Sequence, residues 1–427
     1  MRKLFSSIIT LGILFIILWA AGVWYFGNRT EQQFKTAIQN NNQVAGEKLI
    51  RAELISYTKT LIGAHASLNL SSDLSFVNER IGDIPIIAVL LNGPLFFTKS
   101  DISTGSAHWE LTIDVEKLGN EQREYLQSLF IDNLPSVIVR TDFDQKANYL
   151  ARINTTLLDA LITGVYDLKT QQNRGSVNIT NFKYGVSPNQ LNAEEIKISY
   201  QHQKAITSNY KPGTMAIQIN DLQINHKNLK SPLLISLKGN SNISSENENL
   251  NGFVHVSLKN ILAAGQANGF PLDTAEMSLQ FKQISTDGFI EFSEATAELA
   301  NLRQQANWAL QENGELPEGQ DQLWQLYERI DKSTKELPKL MATNFFNQGK
   351  SKVSFELSSN NSSGKSTLLG DIKLSDNLAT TVNFQSIIDV QAEVKLDDEF
   401  YKMISTLTAI DRRQFKLNFK DNRLLMK

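Results

Sequence analysis

From Leu54 onward the chain keeps returning to a period of two, and that pattern restricts its fold more than any other feature. His65-Ala66-Ser67-Leu68-Asn69-Leu70 alternates polar and apolar, and so does Trp109-Glu110-Leu111-Thr112-Ile113-Asp114-Val115. The pattern recurs at Val177-Asn178-Ile179-Thr180, Ile196-Lys197-Ile198-Ser199-Tyr200, Ala216-Ile217-Gln218-Ile219 and Phe253-Val254-His255-Val256-Ser257-Leu258. Successive side chains of a strand point to opposite faces, so each run makes one apolar and one polar face. The runs are bounded by Gly, Pro, Asn and Asp, the residues that make turns. One-sided strands belong to antiparallel sheets covered on a single face. Long helices are scarce before residue 285, which argues against alternating strand–helix units. One stretch departs from the alternation: Ile84-Pro85-Ile86-Ile87-Ala88-Val89-Leu90-Leu91, ending at Asn92-Gly93-Pro94. It suits a strand buried on both faces, or the lining of a hydrophobic groove.

Helical spacing marks the exceptions. A helix is expected over 120–130, with Leu126, Leu129 and Phe130 on one side. A longer one covers 289–310, where Phe292, Leu299, Leu302, Ala306 and Leu310 share a stripe. A second, over 319–346, carries Leu323, Leu326, Tyr327, Ile330 and Leu337. Pro317 and Gly319 turn the chain between them, and Pro338 is expected to kink or split the second helix. Such a helical hairpin needs a surface on which to bury its stripes. After Gly349 the alternation returns, with Asn360-Asn361-Ser362-Ser363-Gly364 as a hairpin loop. A short helix over 397–407 and a closing strand pair, turning at Asp421-Asn422, end the chain.

The N-terminus has a different physical problem to solve. Residues 4–26 contain no charge, and as a helix they would span ~34 Å, enough for a ~30 Å hydrocarbon core. Leu4, Ile8, Leu11, Leu14 and Ile17 supply apolar bulk; Trp19, Trp24, Tyr25 and Phe26 lie toward the far end, where amphipathic rings favour the interface. Arg2 and Lys3 hold the preceding end in the cytoplasm by the positive-inside rule. Ala20-Ala21-Gly22 offers small residues for a signal-peptide cleavage site. The apolar run continues past it through Val23 to Phe26, so the segment is read as an uncleaved anchor. Residues 27–50 are polar, with Phe34 and Ile38 four apart, and are read as a juxtamembrane helix and spacer.

Composition excludes several classes. The 427 residues carry a net charge of −3 without a basic stripe, so nucleic acid is not an expected partner. There is no cysteine, which removes disulfides, thiolate metal sites and thiol nucleophiles together. His65, His108, His202, His226 and His255 show no metal-ligand spacing. Gly349-Lys350-Ser351 and Gly364-Lys365-Ser366 mimic the end of a phosphate-binding loop. The earlier glycine that motif requires is Asn344 in one and Ser359 in the other, and strands follow both, so they are read as turns. No GxSxG elbow occurs. Adjacent acids at Glu194-Glu195 and Asp397-Asp398 are read as solvated surface or helix N-terminal charge. No catalytic, cofactor or metal residue is assigned.

The order of short motifs resembles the YdgA-like family, bacterial membrane-anchored proteins of unassigned function. It runs from Gly22-Val23-Trp24-Tyr25-Phe26-Gly27 through Ser56-Tyr57, Gly63 and Asn92-Gly93-Pro94-Leu95. It continues with Asp287-Gly288, Gly349-Lys350, Asn361-Ser362-Ser363-Gly364-Lys365-Ser366 and the final strand pair from Phe415 to Met426. The family often has His before Gly-Pro, where this chain has Asn92. The resemblance implies an inner-membrane protein facing the periplasm and supplies no catalytic residue. The expected fold is therefore α+β: an N-terminal transmembrane helix (4–26), a spacer (27–50), and long, curved antiparallel sheet over 51–285. A helical hairpin (286–348) follows, and a β-rich region with a short C-terminal helix (349–427) completes the same fold. The expected role is a non-catalytic scaffold or binding module, a single-span protein of the inner membrane. Its partner is either another envelope protein or a lipid or other hydrophobic ligand held along a sheet groove. An envelope enzyme is a third alternative, which no constellation of residues supports.

Overall fold

The computed structural model describes residues 25, 27–36, 38–39, 51–60, 62–71, 82–97, 102–130, 134–204, 206, 211–227, 232–262, 273–312, 320–340, 344–347, 350–361, 363–374, 388–407, 410–420 and 423–426. Antiparallel strands dominate these residues, and helices are few. The chain divides into two units, Met1–Phe182 with Ser199–Ser208, and Lys183–Ile198 with Asn209–Lys427.

The first unit is a meander in which each strand pairs with its sequence neighbour. Its strands are β1 (Arg51–Lys59), β2 (Gly63–Ser71), β3 (Ile84–Asn92), β6 (Ala107–Ile113), β7 (Ser136–Thr141), β8 (Lys146–Asn154), β9 (Asp159–Asp167) and the start of β10 (Gln172–Val186). A two-stranded ribbon, β4 (Leu95–Phe97) with β5 (Ile102–Thr104), stands apart between β3 and β6. Helix α1 covers 27–36, and α2 (Asn120–Leu129) joins β6 to β7. Both helices bury one side against the sheet. Phe34 and Leu126 sit in a core with Ala64, Ala66, Leu68, Ile86, Ala88, Leu90 and Ile113.

α1 corrects one expectation. Residues 27–36 are helical, yet they are no spacer, because Phe34 is only 3% exposed. Its ring centroid lies 4.6 Å from that of Trp109 and 5.9 Å from that of Tyr57. Glu31 pairs with Lys35 at 2.8 Å and Lys59 at 2.7 Å, tying α1 to β1, and those two ammonium groups hold its carboxyl below the usual range. A low average apolar content does not prevent packing when one aromatic ring carries the contact. The expected transmembrane helix, with its flanking Arg2 and Lys3, lies outside the described residues, and so do Leu4, Ile8, Leu11, Leu14, Ile17, Trp19, Trp24 and Phe26; of that segment only Tyr25 is described, and it is exposed. Among the described residues no helix is long and apolar enough to cross a membrane.

The second unit is a longer meander. Its strands run β12 (Gly213–Asn225), β13 (Leu233–Glu246), β14 (Asn249–Leu262), β15 (Thr274–Ser285), β16 (Lys352–Asn361), β17 (Gly364–Leu374), β18 (Ile388–Lys395), β19 (Gln414–Lys420) and β20 (Arg423–Met426). Strands β10 and β11 (Asn189–His202) each contribute residues to both units. The hairpin of α3 (Thr286–Glu312) and α4 (Gln320–Leu340) is inserted between β15 and β16, which still pair directly. The second helix is described over Gln320–Leu340, with Pro338, which has no N–H to donate, near its end, and residues 344–345 are again helical, wound as π-helix. Phe346 then bridges to Ile284 at the sheet end. Helix α5 (Asp398–Leu407) connects β18 to β19.

The Ile84–Asn92 strand is buried along one face and, apart from Pro85, only half-buried or exposed on the other. Ile86, Ala88 and Leu90 lie in the core, while Ile87 and Leu91 are half-buried and Val89 is exposed. Its apolar run therefore reflects a sheet whose second face is also partly apolar.

Candidate functional site

Register decides which side chains share a face, and in the second unit it assembles a wide apolar one. Ile217, Gly239, Val256, Met277, Leu357, Leu368, Val394 and Phe415 form one row across β12 to β19. The next row holds Val254, Leu279, Phe355, Gly370, Ala392 and Leu417. Seven interstrand spacings of about 4.8 Å give the first row a length of roughly 34 Å.

This face is closed at its margins and open between them. At one end Leu250, Ile284 and Phe346 are buried, and the Phe345 ring packs tilted against Phe289 (6.2 Å) and edge-on against Phe292 (5.3 Å) and Phe346 (5.0 Å). Asn347 fixes that end by donating from Nδ2 to Asn249 Oδ1 (2.6 Å) and the Gln283 carbonyl (2.9 Å). At the strands that α5 joins, Val394, Ala392 and Phe415 are buried too. In the middle the same rows face solvent: Met277 is 43% and Leu357 41% exposed, and Val254, Val256, Leu279 and Phe355 are half-buried. Apolar side chains arrayed this way leave a contiguous patch of the kind that marks binding surfaces.

The first unit repeats the arrangement. Ala66, Ala88, Leu111, Val137, Ala151, Ile162 and Val177 make one row from β2 to β10. α1 and α2 close the β2–β6 end, and from Val137 onward the row is half-buried. Gly27, at the start of α1, abuts the Asn92 side chain, since a Cβ there would lie 3.2 Å from Asn92 Nδ2. The residue that follows the expected anchor thus touches the Asn92-Gly93-Pro94 turn at the closed end of this face.

A polar relay crosses that face farther along, and the sequence reading missed it. Tyr149 donates to Asn173 Oδ1 at 2.8 Å, so its contact with the Tyr200 hydroxyl at 2.6 Å has Tyr200 as donor. Two glycines paired across β9 and β10, Gly164 and Gly175, make the room; a Cβ on Gly164 would lie 2.2 Å from the Tyr149 hydroxyl oxygen. Burial pushes the Tyr149 phenol up from its ordinary value. The local signal is a lone glycine inside each of two alternating runs, which often marks a close approach.

The histidines are scattered. His65 is exposed on β2, and His202 stacks on Tyr200 with centroids 5.1 Å apart. His108 is buried beside Phe96, and burial, reinforced by Arg140, holds its imidazole below the usual value. Among the described residues no group of three or more His, Asp or Glu side chains converges as a metal site would require.

Asp397 has a structural task. Its Oδ1 accepts the N–H groups of Glu399 (2.8 Å) and Phe400 (3.1 Å), capping α5, and also bonds Ser363 (2.9 Å) and Asn361 (3.2 Å). Its Oδ2 accepts from the Ser366 hydroxyl. Burial pushes its pKa up, but these donors outweigh it and bring it down to about 2. The Asn361-to-Ser366 segment is therefore a turn clasped to a helix cap, with Gly364 in the left-handed region (φ 141°).

The two units define a class of antiparallel sheet proteins in which each unit carries an apolar face that is only partly closed. The family comparison adds that residues 1–416 match the DUF945 model, described as a bacterial protein of unknown function, and the chain belongs to that family. Searches of curated proteins and of solved structures find no match.

Proposed function

We propose that this protein is a non-catalytic binding protein of the cell envelope that holds the hydrocarbon part of a lipid along its half-open apolar sheet faces. The observation that carries the proposal is the row from Ile217 to Phe415, in which Met277 and Leu357 remain more than two-fifths exposed although every other member of that row, and of the adjoining row from Val254 to Leu417, is apolar or glycine. Burying apolar area releases about 25 cal/mol per Å², so an extended hydrocarbon chain gains along the whole row. The row's roughly 34 Å is comparable to a hydrocarbon core of ~30 Å. On this reading the chain sits among the YdgA-like proteins of its family. Residues 4–26 tether it to the inner membrane, and the units stand in the periplasm. The tether supports a lipid as occupant, because it holds the apolar faces close to a bilayer.

A photo-crosslinking amino acid placed at Met277 or Leu357 of the full-length, membrane-embedded protein tests this. Lipid adducts detected by mass spectrometry are expected at both sites and not at Glu356, which faces the other way from Leu357. Equal yields at all three positions, or no lipid adduct at the first two, would overturn the proposal. A second reading, a scaffold for another envelope protein, has its own observation: Trp324 on α4 is 71% exposed, with Tyr327 exposed one turn on. Exposed aromatic pairs of this kind are common anchors of protein interfaces. Protein crosslinks from Trp324, abolished by Trp324→Ala, would favour it.

A further inference from the structure

We infer that the opposite, polar face of the second unit carries a binding site for an uncharged oligosaccharide, in a depression of about 630 Å³ across β15 to β19. Two adjacent register rows form it. Gln280, Gln391 and Asn418 bring side-chain amides from one row, and Glu356 and Glu393 flank Leu369 in the other. Four interstrand spacings of about 4.8 Å make the depression roughly 19 Å long, suited to an extended, narrow ligand.

Its chemistry selects among ligand classes. Amides both donate and accept, and carboxylates accept, so together they match hydroxyl groups, which do both. Anions are disfavoured because the lining itself brings three carboxylates, Glu356, Glu393 and Asp371, against one ammonium, Lys416; Lys352 and Lys373, outside the lining, act on Asp371, the former at 3.1 Å. An extended peptide gains nothing from backbone pairing here, because β15 to β19 are each paired on both sides by neighbouring strands. An apolar platform completes the match. Phe253, directly across from Gln280 on the same face, is 39% exposed, and Leu369 in the floor is exposed as well. An exposed ring beside convergent amides offers a flat apolar surface to the C–H face of a sugar, while the hydroxyl edges reach the amides.

The test uses the full-length protein in lipid nanodiscs and isothermal titration with tetra-N-acetylchitotetraose and with cellotetraose. Saturable binding of at least one sugar is expected. Phe253→Ala and Gln391→Ala should each weaken it roughly fivefold or more. Phe253→Leu, which keeps apolar bulk but removes the ring, should weaken it nearly as much, and unchanged thermal unfolding in each variant separates lost contact from lost fold. The inference fails if neither sugar saturates the protein. It fails equally if the variants bind as well as the parent, or if a neutral tetrapeptide or a polyanion binds at the same residues and the sugars do not. It does not depend on the lipid reading, because the two faces are opposite and the crosslinking sites at Met277 and Leu357 lie on the other one.

Discussion

Replacing Phe34 by alanine tests whether the segment after the expected anchor is part of the first unit's core. The ring is 3% exposed and packs against Trp109 at 4.6 Å and Tyr57 at 5.9 Å. Truncating a buried Phe removes its transfer energy and leaves a cavity, together about 3–5 kcal/mol. That figure includes aromatic pairing of about 0.5–1.5 kcal/mol. At about 1.4 kcal/mol per factor of ten, the loss corresponds to a fall in amide protection of roughly two to three and a half orders of magnitude. The assay is hydrogen exchange of the full chain read by mass spectrometry, comparing peptides from β2 and β3, whose Ala64, Ala66, Ala88 and Leu90 share the core, with peptides from β13 as reference. Lys35→Ala, which removes an exposed ion pair with Glu31 and a cation–π contact with Tyr57 at 5.9 Å, is the control and should change protection by about tenfold at most. If Phe34→Ala changes β2 and β3 no more than Lys35→Ala does, α1 is peripheral and the packing argument is wrong.

Asp397 and Glu248 carry three further expected outcomes. Asp397→Ala should destabilise the second unit by roughly 2–4 kcal/mol, from a lost helix cap and stranded buried donors, measured by chemical denaturation. Because the folded pKa of Asp397, about 2, lies below the unfolded value near ~3.9, its contribution is complete above pH ~4 and disappears as pH falls toward 2; Asp397→Asn should flatten that part of the acid-stability profile. Glu248→Gly should stabilise by about 1 kcal/mol, since Asn247 and Glu248 both adopt positive φ in the two-residue turn between β13 and β14 (49° and 63°), and a thermal melt that shows no rise would refute the strain assigned to Glu248.

The sequence alone marked many of the strands, among them β2, β6, β14 and β16, because period-two alternation is a local property that survives whatever the partners are; β7, β8, β9, β13, β15 and β18 were not among those it marked. It also marked the helical hairpin, the acidic start of α5 at Asp397 and Asp398, and the turn at Asn361 to Gly364, each written in neighbouring residues. Tertiary structure decided the rest. Alternation shows that a strand has an apolar face and is silent on what covers it, so the exposure of Met277 and the burial of Val394, members of one register row, could not be separated in advance. Phe34 lay in a polar stretch whose average hid a single core contact. The Tyr200–Tyr149–Asn173 relay joins residues up to 51 positions apart, and no local pattern encodes a hydroxyl meeting at that separation. Covering a face is a property of the whole chain's path, and the chain's path is what register and connections fix only after folding.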